Sequence, residues 1–370
     1  MSRSSSKRWR GVNLGGWLVL EKWMTPSLFA GLEAEDETAW CVELGQQAGK
    51  RLHAHWQSFI SVEDFAWLAD KGINAVRIPI GHWLFGPDYP YHPAYGDSPY
   101  PYVEGGIAVL DQAMLWAEQY GLAVMLDLHA APGCQNGFDN GGIKDVCDWQ
   151  TKALYREYSV QIVERLAQRY AASPALAAIE VLNEPRWDVP TEILAEYTEQ
   201  AYQAIRRHCS ADQVAVVFHD GFRHFREYGE LLRGDDFANV AFDLHRYQCF
   251  NGDDVNSDIF QHIQKTVVDW KQEADELIEQ SGRDTVVGEW SLGLNPQFEV
   301  LWAEQAQDAK EKTMTVFQRD VAYRAYAAAQ LACFEKYRGW FFWSYKTETM
   351  PHWSFRDCVQ QGWLPSKFAG

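Results

Sequence analysis

Short apolar runs of four to eight residues recur along the chain, at 11–14, 75–80, 123–128, 178–182, 214–218, 240–244, 285–288 and 340–343. They are continuous rather than alternating, the pattern of strands buried on both faces of a parallel sheet. Amphipathic stretches separate them. Residues 61–71 place Phe65, Leu68 and Ala69 on one stripe, and 107–120 follow two glycines. Residues 154–172 stop before Pro174, and 192–208 begin after Pro190 and Thr191, as helix boundaries do. Two longer helices are predicted over 259–280 and 313–337. Eight strands separated by helices predict an α/β fold closed into one (β/α)8 TIM barrel rather than an open sheet. No repeat, linker or low-complexity block interrupts the pattern. The expectation is a single domain over 1–370, with a short tail at about 1–9 and a long Pro-, Tyr- and Gly-rich loop near 86–105.

With 47% hydrophobic and 23% charged residues, the composition supplies a large core. No run of about 18 apolar residues exists, so no membrane insertion is expected. The first ten residues carry Ser and Arg, but no apolar stretch of a signal peptide follows them, and the expected location is cytoplasmic. Thirty-three basic residues against 51 acidic ones give a net charge of −18, the wrong sign for a phosphate-binding surface, so nucleic acid is not an expected partner. The cysteines, at 41, 134, 147, 209, 249, 333 and 358, form no CxxC pair and read as free thiols, with a bridge between Cys134 and Cys147 the less favoured alternative. Seventeen Trp, 17 Tyr and 19 Phe are the unusual feature. Flat aromatic faces suit the apolar CH faces of sugars, although large barrels also bury such residues as packing. Nothing in the sequence sets an oligomeric state.

In such barrels the site lies at the C-terminal ends of the strands. The residues there are Arg77 on the second strand, Asp127 to His129 on the third, and Asn183 and Glu184 on the fourth. His245 and Tyr247 end the sixth, Glu289 the seventh and Trp343 the eighth. One glutamate at a strand end reads as ordinary turn chemistry. Two of them, on the fourth and seventh strands, face each other across a barrel mouth. That placement permits carboxyls about 5–5.5 Å apart, the spacing for glycoside hydrolysis with retention. Arg77 and Tyr247 would then hold Glu289 ionised, and Asn183 would reach the sugar 2-hydroxyl. His129, His245 and Glu184 could also be metal ligands on different strands. No HxH pair or further cluster accompanies them, so neither metal nor cofactor is expected.

These residues lie within longer motifs: GVNLGGWLVLEKWMTPSLF at 11–29, GINAVRIPIGHW at 72–83, LDLHAAPGCQNGFDN at 126–140, LNEP at 182–185, HRYQCF at 245–250, GEWS at 288–291 and GWFFWSYKTE at 339–348. All seven occur in order. The chain thereby resembles glycoside hydrolase family 5, and within it the fungal-type exo-β-1,3-glucanases. The resemblance implies Glu184 as acid/base and Glu289 as nucleophile, with Arg77, His129, Asn183, His245, Tyr247 and Trp343 around them. It further implies that Glu21 holds the terminal glucose beside Trp23. Phe138 and Phe250 would clamp the next sugar, with Asp139 and Asn140 adjoining. The expected activity is release of terminal β-1,3-linked glucose from oligo- or polysaccharides by double displacement, with transfer to other acceptors competing. A family 5 enzyme of β-1,6, β-1,4 or glucosyl-lipid specificity is the alternative, and a non-catalytic carbohydrate-binding barrel the alternative of another class. The expected partner is thus a β-glucan oligosaccharide or β-glucoside. Residues 86–105 and 292–305 match the family pattern least.

Overall fold

A computed structural model describes residues 8–87, 100–224, 227, 231–232, 236–281, 284–296, 298–299 and 314–368. Eight parallel strands close into a barrel in chain order. They are β1 (Trp9–Asn13), β2 (Ala75–Gly81), β3 (Ala123–Ala130), β4 (Leu176–Glu180), β5 (Ala215–His219), β6 (Val240–Arg246), β7 (Asp284–Trp290) and β8 (Gly339–Phe342). Pairing of β1 with β8, Trp9 opposite Gly339, completes the closure. The expected strands are thus all present. β1 starts at Trp9, which shortens the expected tail.

The helices differ more from the sequence pattern. Three of them, α1 (Glu37–Leu44), α2 (Ala48–Phe59) and α3 (Val62–Asp70), join β1 to β2, where one was expected. α4 (Gly106–Tyr120), α5 (Ala153–Tyr170) and α6 (Thr191–Arg206) lie close to their expected bounds. No α-helix lies between β5 and β6 among the described residues. After β6 come α7 (Gly252–Val255), α8 (Ile259–Lys265) and α9 (Lys271–Ser281), the last two joined by a π-helical turn at Thr266–Trp270. The expected helix over 259–280 is therefore present in its full extent, with one wide turn inside it. α10 (Val316–Phe334) opens with a capping box, in which Thr315 and Gln318 satisfy each other's backbone N–H groups. A short α11 (Phe355–Gln360) ends the fold. Most of the loop expected near 86–105 and much of 292–305 lie outside the described residues.

Two apolar bodies hold the barrel. The larger fills the space between strands and helices. The smaller floors the barrel, with Trp9, Met125, Val217, Val286 and Phe341 among alanines 75, 178, 215 and 241. Side chains along a strand alternate faces, so each floor residue has a lumen-facing neighbour two positions on. Above Ala75, Met125, Ala178 and Ala241 those neighbours are Arg77, Asp127, Glu180 and Asp243, all fully buried. A layer that most barrels fill with branched aliphatic residues is here charged.

Candidate active site

Arg77 is the centre of that layer. Its Nε donates to Glu180 at 2.6 Å, and its Nη1 donates to Asn13 Oδ1 and Glu289 Oε1, both at 3.0 Å. Its Nη2 donates to Asn183 at 2.8 Å and stands 3.0 Å from Asp127 Oδ2. Four of the five guanidinium N–H groups thus donate to named acceptors, and Asp127 stands beside Nη2 as an ion pair. Asp243 lies 4.0 Å from the same guanidinium and accepts the backbone N–H of Gly288 at 2.5 Å. Gly288 is required there, because a Cβ would stand 1.9 Å from an Asp243 oxygen. The β6–β7 register skips this residue, pairing Leu244 with Val287 and His245 with Glu289. Such a bulge re-aims the next side chain, and Glu289 enters the barrel mouth.

Glu184 reaches the same mouth from the turn after β4, with φ at +41°. His245 bridges the two glutamates. Its Nδ1 is 2.7 Å from Glu184 Oε1 and 3.3 Å from Glu289 Oε2. Those two oxygens are therefore at most the sum of the two distances, 6.0 Å, apart. The other imidazole nitrogen lies 3.4 Å from Asp243. Tyr247 donates to Glu289 Oε2 at 2.8 Å, and Asn140 donates to Glu184 Oε2 at 3.2 Å. His129 is fixed by Asp127 at 2.7 Å and stacks on Trp343, with ring centroids 5.3 Å apart.

The walls come from three loops. Glu21, buried in the loop after β1, accepts the Trp23 indole N–H at 2.8 Å. Trp23 in turn lies edge-on to Trp353 at 5.3 Å. Trp353 also packs against Tyr247 at 5.2 Å and Phe250 at 6.2 Å. Phe138 and Phe250 are 37% and 71% exposed. Glu184, Glu289, Arg77, His129, Asn140, Asn183, His245, Tyr247 and Trp343 thus gather at one mouth, with Glu21 and Trp23 on its wall. Asp139 lies close enough to Glu21 for its charge to act there.

Charge is unevenly matched. Burial drives the Glu180 carboxyl well above the ordinary range, against Arg77 and with the help of Asp243 and Asp127. Burial opposes a charge on His245, but Glu289, Asp243 and Glu184 outweigh it and raise the imidazole well above its usual value. Burial also works to raise Glu184, yet the His245 charge and hydrogen bond leave it below the ordinary range. Glu289 is raised by burial and by Glu184, against His245 and Arg77. These directions favour a charged imidazole between the two carboxyls. Burial lifts the Tyr247 phenol well above its usual value, with Glu289 adding to the shift, so Tyr247 remains a donor.

Several of these groups were not among the expected ones: Asn13, Glu180, His219, Asp243 and Trp353. Glu184, His219 and His245 offer ligand atoms within 4.8 Å of one another. However, the Gly221 N–H donates to His219 Nδ1 at 2.9 Å. That leaves a neutral His219 with its proton, rather than a lone pair, on Nε2.

Barrel and facing glutamates together define a class: the protein is a glycoside hydrolase. Residues 35–348 match the cellulase family, and the chain belongs to glycosyl hydrolase family 5. It is 37% identical to a protein of Emericella nidulans named probable glucan 1,3-beta-glucosidase A, over 96% of this chain and 89% of that one. It is 33% identical to the glucan 1,3-beta-glucosidase of Blumeria graminis, over 98% and 87% of the two chains. Among solved structures, a rutinosidase from Aspergillus niger has a TM-score of 0.77 at 20% identity, covering 96% of this chain and 97% of that one. An endoglucanase from Thermotoga maritima has a TM-score of 0.55 at 16% identity, over 95% and 96%. These two likenesses are of fold.

Proposed function

We propose that the protein is a retaining, exo-acting β-glucosidase that releases terminal β-1,3-linked glucose, with Glu289 as nucleophile and Glu184 as acid/base. The observation that carries this reading is the single His245 nitrogen shared by both carboxylates, which holds two of their oxygens within 6.0 Å. Retaining enzymes place the pair about 5–5.5 Å apart, whereas inverting ones need about 6.5–9.5 Å to admit a water. The nucleophile is assigned to Glu289 because Arg77 and Tyr247 both donate to it and favour its ionised form. Glu184 reaches its acid form by taking the proton from His245, across 2.7 Å. A bound sugar excludes water, and a drier site favours the neutral imidazole and carboxylic acid over the ion pair. Glu289 then attacks the anomeric carbon while Glu184 protonates the leaving oxygen. In the second step Glu184, now a carboxylate, takes a proton from water as that water displaces Glu289.

Relatives named glucan 1,3-beta-glucosidases over nearly the whole chain support the substrate class. The exposed Phe138 and Phe250 rings suit a second sugar outside the pocket, and buried Glu21 suits a terminal one within it. Glu289→Ala is expected to abolish hydrolysis, with azide restoring turnover to an α-glucosyl azide. Wild-type digestion of laminarin should give glucose alone. Undiminished hydrolysis by Glu289→Ala refutes the nucleophile assignment, and a ladder of oligosaccharides refutes exo action.

A further inference from the structure

Two loops carry the groups proposed to hold the terminal sugar: residues 14–25 after β1, with Glu21, and 131–148 after β3, with Asp139 and Asn140. Their carboxyls oppose each other. Burial is the larger cause that raises Glu21 well above the ordinary range, and the Asp139 charge is the next. Two acidic side chains drawn from separate loops keep their spacing only if those loops are fastened to each other.

The fastening is the first turn of α1, and it touches neither catalytic glutamate. Glu37, 1% exposed, accepts the backbone N–H of Leu20 at 2.7 Å, one residue before Glu21. The Trp83 side chain lies close enough to favour its charged form. On one side of Glu37, Asp36 Oδ2 accepts the backbone N–H of Lys144 at 2.9 Å. On the other, Thr38 reaches Gly142, its hydroxyl donating to the carbonyl at 2.6 Å and its backbone N–H at 3.2 Å. Three consecutive residues of one helix start thus grip both loops, and the Glu35 and Lys144 side chains pair beside them. Glu37 faces the first loop while its neighbours face the second, as the helical turn dictates.

We propose that Asp36, Glu37 and Thr38 form a brace that sets the gap between Glu21 and Asp139–Asn140, with Glu37 a positioning residue that acts on sugar affinity through Glu21. The inference rests on the reading of Glu21 as a sugar ligand given above. A brace of this kind governs how well the sugar fits, so its loss appears in KM rather than in kcat. Glutamine at 37 keeps a carbonyl acceptor for the Leu20 N–H, whereas methionine keeps the bulk and removes the acceptor.

The test uses the full chain and p-nitrophenyl β-D-glucopyranoside. Glu37→Met is expected to raise KM on the order of 10-fold with kcat changed by less than about threefold, because small misplacements of a binding group carry penalties of that size. Glu37→Gln should restore KM to within about twofold of wild type. In a Glu21→Gln background the KM effect of Glu37→Met should vanish, since residues acting through one another are non-additive. Thr38→Val supplies the same cycle if Glu37→Met does not fold. Equal KM effects in both backgrounds, or no effect of Glu37→Met where Glu21→Gln has one, overturn the brace alone. If Glu21→Gln leaves KM unchanged, the reading of Glu21 falls and the brace falls with it.

Discussion

Replacing Arg77 by methionine isolates what the charged layer requires. The substitution keeps most of the side-chain length but removes all five N–H groups. Asp127, Glu180, Asp243 and Glu289 then share a buried space without their guanidinium. Breaking one buried pair by deleting a partner costs about 3–5 kcal/mol. That is a large part of the roughly 5–15 kcal/mol by which a folded domain exceeds its unfolded state. The stranded carboxylates have one escape, which is to take up protons. Each proton bound by the folded variant but not by the unfolded chain makes stability fall by about 1.4 kcal/mol per pH unit. The sign follows from the raised folded-state affinity: the penalty is small near the ordinary carboxylate range and grows as pH rises above it. Over the interval from about pH 5 to about pH 7.5, one such proton adds about 3 kcal/mol to the penalty. Urea unfolding of Arg77→Met and wild type at the two pH values measures this difference. A penalty that is the same at both, or one below about 1 kcal/mol at the higher pH, refutes the account of Arg77 as the shared partner of these buried carboxylates.

Three other outcomes follow from single positions. Gly288→Ala places a methyl 1.9 Å from Asp243 and should lower thermal stability by at least about 4 kcal/mol, so a variant within about 1 kcal/mol of wild type contradicts the close approach. Phe250→Ala, at a 71% exposed ring, should leave urea stability within about 0.5 kcal/mol yet lower kcat/KM on laminaribiose several-fold relative to an aryl glucoside; equal losses on both substrates argue against a clamp. Burial pushes the Glu37 carboxyl up to about 8, so the folded protein holds this proton where the unfolded chain has released it, and stability declines between the ordinary carboxylate range and about pH 8. Glu37→Gln should flatten that decline in urea titrations across the same window, and an unchanged slope would contradict it.

The strands and the mouth were legible in the sequence because six of the eight buried runs end in polar or aromatic residues whose joint pattern turn chemistry does not explain. Glu184 after VLN and Glu289 after VVG are such cases. The layer beneath was legible in principle. Asp127 precedes His129 by two positions, and Asp243 precedes His245 by two. In a strand that spacing keeps both on one face, so an acid inside an apolar run marks the lumen. The signal looks like a flaw in the strand when the run is read only for hydrophobicity. Trp353 carried no such signal: the chain brings it back after β8, through the short turn Pro351–Trp353, onto Tyr247 and Trp23. α1 escaped notice because Trp40, Cys41 and Val42 are consecutive and make no stripe. The π turn between α8 and α9, TVVDW, contains no glycine or proline to mark it.

Glu184 stands at φ +41°, in the left-handed region, where an L-residue other than glycine loses on the order of 1–2 kcal/mol. Its carboxylate is also taken out of water. On both counts the position opposes folding, and glycine would serve the backbone better. A lineage released from the reaction would gain stability by losing this side chain early. Under the acid/base role proposed above, the glutamate at this turn serves the reaction and not the fold, and glycine here is expected to end hydrolysis while keeping the barrel.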